Sequence, residues 1–187
     1  MPQIQDESGW EVVYTDGACQ GNGQKGAVAG IGVWWGNNDS RNVAERCPGA
    51  QTNNRAELIA IIRALELAPK GIKQLLIKTD SVYSIKCIQE WMPAWRGRGW
   101  KTSDGNPVKN KEIIMYLAHL LDEYGRRRQL VHLQHVRGHA GEMGNEGADG
   151  LAGLGATMPA QPDRDWTIPP DEDPRVMGKD TVVKCKV

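Results

Sequence analysis

Two aspartates occupy matching places in the chain. Asp16 follows the apolar run Val12-Val13-Tyr14-Thr15 and precedes Gly17; Asp80 follows Leu75-Leu76-Ile77-Lys78-Thr79 and precedes Ser81. Each reads as the acid at the end of a β-strand, the first at a turn and the second just ahead of a helix cap. Alone, either is also an ordinary turn or capping residue, because the short Asp side chain accepts hydrogen bonds from nearby backbone amides. The repeated Thr-Asp points further, since parallel strands end at one sheet edge and open α/β sheets place their sites there. Glu57, in the first turns of a predicted helix, and Asp149, in Gly144-Asn145-Glu146-Gly147-Ala148-Asp149, are two more acids. Either alone reads as a solvated helix acid, Glu57 being favoured by the helix dipole. Carboxylates brought together repel and need a counter-ion. The hard cation Mg²⁺, which binds carboxylate and phosphate oxygens, supplies that charge. Two such ions about 3.5–4 Å apart activate a water and stabilise the leaving oxygen of a phosphodiester. Spacing alone leaves open whether the four acids converge.

His139 lies between Gly138 and Ala140-Gly141, ten residues ahead of Asp149. An imidazole with its ordinary pKa near ~6.5 on such a loop suits proton transfer at neutral pH, and equally suits a plain surface position. His119, His132 and His135 have no comparable setting and read as structural or solvated. Residues 91–111 carry Arg96, Arg98, Lys101, Lys109 and Lys111 against Asp104 alone, a net charge of +4, with Trp91, Trp95 and Trp100 interleaved. Cations contact phosphates and aromatic rings pack on sugars or bases, so the pattern suits a nucleic-acid channel; a Trp-anchored surface loop is the simpler alternative. Arg126 to Arg128 read as a solvated turn.

The elements that must hold these residues alternate in type. Residues 12–14 and 27–35 are apolar and β-branched around the Gly/Asn turn 21–26, which predicts a hairpin, and 42–46 adds a third strand. In 53–67, Ala56, Ile59, Ala60, Ile62 and Leu67 recur at helical spacing until Pro69 and Gly71 stop the run. A short buried strand is expected over 75–79 and a helix over 81–91 capped by Ser81. A second long helix is expected over 111–124, ended by Gly125. A strand over 130–136 and a last helix over 145–154, closed by Gly155, complete the pattern. Three strands followed by βα repeats imply a mixed sheet with helices packed on it.

Composition bounds the rest. The 187 residues hold 23 basic and 23 acidic side chains, with 40% hydrophobic and 25% charged residues, which excludes collagen-like, wholly disordered and strongly basic proteins. No apolar run reaches the ~20 residues of a membrane span, and the N-terminus lacks a basic start and apolar h-region. Cys19, Cys47, Cys87 and Cys185 are far apart, so neither a zinc site nor a disulfide framework is indicated, and a reducing compartment is expected. Between residues 160 and 174 five acids face Arg164 alone, and five of the ten prolines lie beyond Ala156. Residues 157–187 are therefore expected to be a mostly disordered tail, with Trp166 able to dock it locally.

Taken in order, Tyr14-Thr15-Asp16-Gly17-Ala18-Cys19, Gly30-Ile31-Gly32-Val33, Thr52-Asn53-Asn54-Arg55-Ala56-Glu57, Thr79-Asp80-Ser81, Gly99-Trp100-Lys101-Thr102-Ser103, Asn110-Lys111-Glu112, His135-Val136-Arg137-Gly138-His139-Ala140-Gly141 and Gly144-Asn145-Glu146-Gly147-Ala148-Asp149 resemble the type 1 ribonuclease H domain. The resemblance spans roughly residues 10–155. It implies the α/β ribonuclease H-like fold, a five-stranded mixed sheet flanked by helices, with residues 1–9 an extension, 10–156 the domain and 157–187 the tail. It implies hydrolysis of the RNA strand of RNA–DNA hybrids, two Mg²⁺ ions with substrate bound (Mn²⁺ as alternative), and 5′-phosphate and 3′-hydroxyl products. By motif, Asp16, Glu57, Asp80 and Asp149 become metal-binding catalytic carboxylates and His139 an aid to turnover. Cys19, Asn22, Asn53 and Asn54 match positions on the RNA side, where the 2′-hydroxyl distinguishes RNA from DNA. Trp91, Trp95, Lys101, Thr102 and Ser103 fall in the basic protrusion that grips the DNA strand. Thr52 and Asn110 match a DNA phosphate pocket, although Ala50 and Gly153 stand where basic residues often contribute. The separate hybrid-binding domain of eukaryotic members is not expected within nine residues of leader, which implies low processivity. A monomer with no membrane partner is expected, intracellular, with cytoplasm and nucleus left open.

Overall fold

The computed structural model describes residues 3–138, 140–169 and 172. Five strands form one mixed sheet in the order β3-β2-β1-β4-β5. They are β1 (Glu11–Gln20), β2 (Val28–Trp34), β3 (Val43–Arg46), β4 (Gln74–Thr79) and β5 (Leu130–His135). The pairs β1–β2 and β2–β3 are antiparallel, whereas β1–β4 and β4–β5 are parallel. The helices are α1 (Asn53–Leu67), α2 (Val82–Lys86), α3 (Met92–Gly97), α4 (Lys111–Arg126) and α5 (Met143–Thr157), with a π-helical turn, Cys87–Trp91, joining α2 to α3.

β1 is the central strand, and alternation along it decides the layers. Gly17 points to the α1 side, where a side-chain Cβ would lie 2.4 Å from the backbone nitrogen of Glu57. Gly32, paired with Asp16, points the other way, where a Cβ would meet the Ala148 carbonyl of α5 at 2.0 Å. So α1 and α5 sandwich the same stretch of sheet and approach it at glycines. Between sheet and helices, Val13, Ile31, Leu75 and Ile77 pack with Leu58, Ile59, Ile62, Ile113, Ile114 and Leu117, all essentially inaccessible to solvent. α1 starts at Thr52, whose hydroxyl accepts from the Arg55 amide, and ends at Ala68 before Pro69.

Four boundaries differ from expectation, each for a local reason. β1 does not turn at Gly17: its parallel pairing with β4 stops at Tyr14, but its antiparallel pairing with β2 runs on to Gln20. The helix expected over 81–91 continues through the π-turn into α3, and Pro93 falls just past that turn, at the start of α3. Gly125 lies inside α4, and the chain leaves that helix at Arg128, in the left-handed region at φ +56°. Gly155 lies inside α5, pressed against the backbone of Glu45.

Of the expected tail, residues 159–169 form a packed strap. Trp166 is 5% exposed and Arg164 8%. The Arg164 guanidinium stacks between the Tyr116 and Trp166 rings and pairs with Glu66. Asp163 pairs with Arg55 at 2.5 Å. The docking anticipated for Trp166 is present, and the strap around it is not disordered, because two aromatic rings and a buried ion pair hold it. Most of the remaining tail lies outside the described residues.

Candidate active site

β1 and β4 carry their acids side by side because they are parallel neighbours, with Val13 opposite Ile77 and Tyr14 opposite Lys78. Asp16 lies two residues beyond the last of these pairs on β1, and Asp80 immediately follows β4. Glu57 comes from the opposite layer, in the second turn of α1, which bare Gly17 lets in. The result is three carboxylates, Asp16, Glu57 and Asp80, each offering an oxygen within 4.8 Å of the other two. Asp149, from the middle of α5, reaches Asp16 and adds to the negative charge there.

Such a cluster is costly without a cation. Burial, then the charges of Asp80 and Asp149, push the Asp16 carboxyl up to about 7. Burial, followed by Asp16 and Asp80, raises Glu57 well above the carboxylate range. Glu57 is only 4% exposed, and its Oε2 has no hydrogen-bond partner. Its other support comes from the Gly17 amide and the Asn53 side chain, which favour the charged form. An orphaned buried carboxylate oxygen among three acids is what a hard divalent cation satisfies. The donor set fits such an ion, and these residues can hold it.

The expected RNA-side residues gather around the start of α1. Asn22, in the β1–β2 turn, accepts a hydrogen bond from the Asn53 amide at 3.1 Å, and the Cys19 thiol lies 3.7 Å from the Gln51 carbonyl. Asn54 and Thr52 are half-buried in the same turn. Sequence reasoning missed Gln51, which ties the turn together: its amide donates to the Cys47 and Gly49 carbonyls and accepts from the Ala29 amide and Arg46. Its one available signal was a polar residue flanking the Thr-Asn-Asn run.

α2 and the π-turn lead from Asp80 to the basic segment. Tyr83, Trp91 and Trp95 form a ladder of rings with centroids 6.1 and 5.6 Å apart, half-buried against the core. Beyond them, Lys101 and Ser103 are exposed on a loop closed by the Thr102 amide donating to the Asn106 carbonyl at 2.8 Å. Asn110 precedes α4 in the left-handed region at φ +58° and lines a hollow of about 330 Å³ with Lys111, Arg55 and Asp163. The strap thus places an acid in the hollow beside Asn110, which Thr52, the other residue expected at a DNA phosphate, does not line. His139 lies outside the described residues. His132 is buried and meets Trp10 edge-on, whereas His119 and His135 are exposed.

A mixed five-stranded sheet with helices packed on both faces, bringing acids from two neighbouring strands and the beginning of a helix to one point, places the chain in the α/β class. The RNase H family's sequence model matches residues 9–157, and the chain belongs to that family. It is 46% identical over 131 residues to a ribonuclease H of Schizosaccharomyces pombe, covering 70% of this chain and 47% of the relative. It is 45% identical over 130 residues to human ribonuclease H1, covering 69% and 44%. Ribonuclease HI of Caulobacter vibrioides matches at 43% over 128 residues, covering 68% and 80%. The chain therefore spans about half the length of the fungal and mammalian relatives and most of the bacterial one. Among solved structures, LC9-RNase H1, a type 1 RNase H, aligns with TM-score 0.56 at 30% identity over 79% of this chain and 72% of that one. A foamy viral protease-reverse transcriptase in complex with dsDNA aligns with TM-score 0.64 at 26% identity, over 78% and 93%. The five-stranded mixed α/β fold expected from the motifs is the one observed. Among the described residues, no helix is long and apolar enough to cross a membrane.

Proposed function

We propose that this chain is an endoribonuclease that hydrolyses the RNA strand of RNA–DNA hybrids, leaving 5′-phosphate and 3′-hydroxyl ends. The observation that carries the reading is the convergence of Asp16, Glu57 and Asp80, with the Glu57 Oε2 unsatisfied, in a member of the RNase H family. Asp16 and Asp80 hold the metal position from the sheet, Glu57 closes it from the α1 side, and Asp149 completes it from α5. Two Mg²⁺ ions, or Mn²⁺, supply Lewis acidity there when substrate is bound, activating the attacking water and stabilising the leaving oxygen. The protein's own contribution is position: acids fixed on rigid strands and helices, in a setting whose negative charge attracts the cation before substrate arrives.

Substrate recognition falls to two surfaces. Cys19, Asn22, Asn53 and Asn54 at the start of α1 would read ribose 2′-hydroxyls, the feature that tells the RNA strand from the DNA strand. Trp91, Trp95, Lys101, Thr102 and Ser103 would track the DNA strand, with ring faces against sugars and cations near phosphates. Thr52 and Asn110 would hold one DNA phosphate, and His139 would assist turnover. The working unit is a monomer.

The test is cleavage of a labelled RNA–DNA hybrid beside single-stranded RNA, duplex RNA and duplex DNA, in Mg²⁺ or EDTA. Metal-dependent cutting of the hybrid's RNA strand alone is expected, with Asp80→Asn at least about 100-fold slower. Hybrid binding without cutting in Mg²⁺, or in Mn²⁺ in its place, would overturn the reading in favour of a binding module.

A further inference from the structure

A lysine inside a buried strand needs a reason. Lys78 is 7% exposed, stands two residues ahead of Asp80, and lies on the same face of β4. Its ammonium meets three oxygens: Glu7 Oε1 at 2.6 Å, Glu142 Oε1 at 3.1 Å and the Tyr14 hydroxyl at 3.1 Å. The Tyr14 hydroxyl in turn donates to the same Glu142 oxygen at 2.7 Å. Tyr14 stands two residues ahead of Asp16 on β1. Each strand that delivers a metal-site aspartate therefore also delivers, two positions earlier on the same face, a group that grips Glu142.

Glu142 is the residue from which α5 starts, and α5 carries Asp149. The helix is seated on the same cluster: a Cβ at Gly144 would fall 2.2 Å from the Tyr14 ring, and one at Gly147 would fall 2.5 Å from the Trp34 ring, itself edge-on to Tyr14. Upstream, Gly138 lies against Asp80, where a Cβ would meet Oδ2 at 2.6 Å. The chain entering α5 thus passes close against Asp80, just beyond β4, and is bonded to β4 through Lys78. Glu142 has no side-chain capping bond to its own helix, so its carboxylate is committed to Lys78 and Tyr14.

We propose that Lys78 and Glu142, with Tyr14 between them, are positioning residues: the pair locks the first turn of α5 to the strands bearing Asp16 and Asp80 and so sets where Asp149 stands. The proposal rests on the nuclease reading of the carboxylates. It differs from it in naming residues that touch neither metal nor substrate. With the lysine buried and both of its carboxylates about one-third exposed, such a charge-assisted cluster is pinned from the strand side and has few alternative geometries, which suits it to fixing register.

The experiment combines kinetics with amide hydrogen exchange on the full chain, for Glu142→Ala, Glu142→Gln, Lys78→Met and the Glu142→Ala/Lys78→Met double variant. Glu142→Ala and Lys78→Met are each expected to lower kcat on the hybrid about tenfold with KM within about twofold. The double variant should be no slower than the slower single, because the two act as one unit. Glu142→Gln, which keeps an acceptor, should recover most of the rate. In the metal-free protein, amides of residues 142–149 should exchange about tenfold faster in Glu142→Ala, with β1 and β4 unchanged. Unchanged exchange, additive losses, or an effect confined to KM would overturn the proposal. If Lys78→Met does not fold, the half-exposed Glu142 variants decide the matter alone. Should the wild type fail to cut the hybrid, the nuclease reading falls, and the exchange data still judge the pair.

Discussion

Asp16 is held where three separate forces oppose its charge: burial, Asp80 and Asp149. In the unfolded chain its carboxyl would ionise near ~3.9, whereas in the fold it holds its proton up to about 7. Between those values the folded state binds more protons than the unfolded one, so stability falls as pH rises through the window and the loss is complete above it. Asp16→Asn keeps the shape and removes the charge. Without divalent metal it should stabilise the protein by about 1–3 kcal/mol at about pH 8, with the gain vanishing near about pH 4. Urea unfolding at the two pH values checks this, and an equal difference at both would show that the cluster carries no electrostatic load. At this scale the repeated Thr-Asp and the motif order singled out the three acids that the structure brings together and Asp149 beside them. The sequence was silent on convergence. Glu57 reads as a solvated helix acid until Gly17 is seen to admit α1, and no periodicity encodes that approach. Lys78 was visible only as a charge interrupting an apolar strand, a signal without a partner until Glu142 is placed in space.

The five glycines of α5, at 144, 147, 150, 153 and 155, look wrong for a helix, where each costs about 0.5–1 kcal/mol relative to alanine. The structure divides them. Gly144, Gly147 and Gly155 face Tyr14, Trp34 and the Glu45 backbone with no room for a methyl, whereas Gly150 and Gly153 face open space. Small residues on one side let α5 lie close to the sheet at Gly30 and Gly32, which brings Asp149 to Asp16. Gly150→Ala and Gly153→Ala should therefore each stabilise the protein by about 0.5–1 kcal/mol. Gly32→Ala should cost about 3 kcal/mol, because the new methyl meets the α5 backbone rather than a side-chain tip that can move. Thermal or urea midpoints measure all three, and a harmless Gly32→Ala would mean that α5 sits further from the sheet. The same packing explains why Gly155 could be read from sequence as a helix stop: a glycine needed for close approach and one needed for a left-handed turn look alike in one dimension. Element existence and order were legible because apolar runs are bounded by Gly, Pro and capping residues and α4 keeps a clear 3.6-residue period. The length of β1 was not, since it depends on which neighbour each half of the strand pairs with.

At the scale of the whole molecule, the family match ends at residue 157, yet the fold continues to the strap. Composition suggested that this acidic, proline-rich stretch could not support packing. Composition averages over the wrong unit: Arg164 and Trp166 alone are buried, and their neighbours are exposed. Arg164 enters a pocket already prepared by Tyr116 of α4 and by Glu66 of α1, a carboxylate whose side chain is 2% exposed and which also pairs with Arg63 at 2.7 Å. Trp166 covers the same seam and donates its indole N–H to Asp163, which holds Arg55 in the turn that begins α1. The strap therefore ties α4 to α1 at both ends of α1's outer face, and removing it leaves Glu66 with half its counter-charge and an aromatic seam open to water. A chain ending at residue 158 should lose about 3–5 kcal/mol of stability, and Trp166→Ala about 3–4 kcal/mol by itself. Arg164→Met, which fills space without charge, should fall between wild type and the truncation, because the buried Glu66 then keeps only Arg63 and the Tyr116 hydroxyl. Urea unfolding followed by tryptophan fluorescence and by far-ultraviolet circular dichroism measures these differences. If the truncated chain unfolds at the wild-type midpoint, the strap is a passenger on the domain; if both probes shift together by the expected amount, the folding unit of this protein extends at least a dozen residues past its family's boundary.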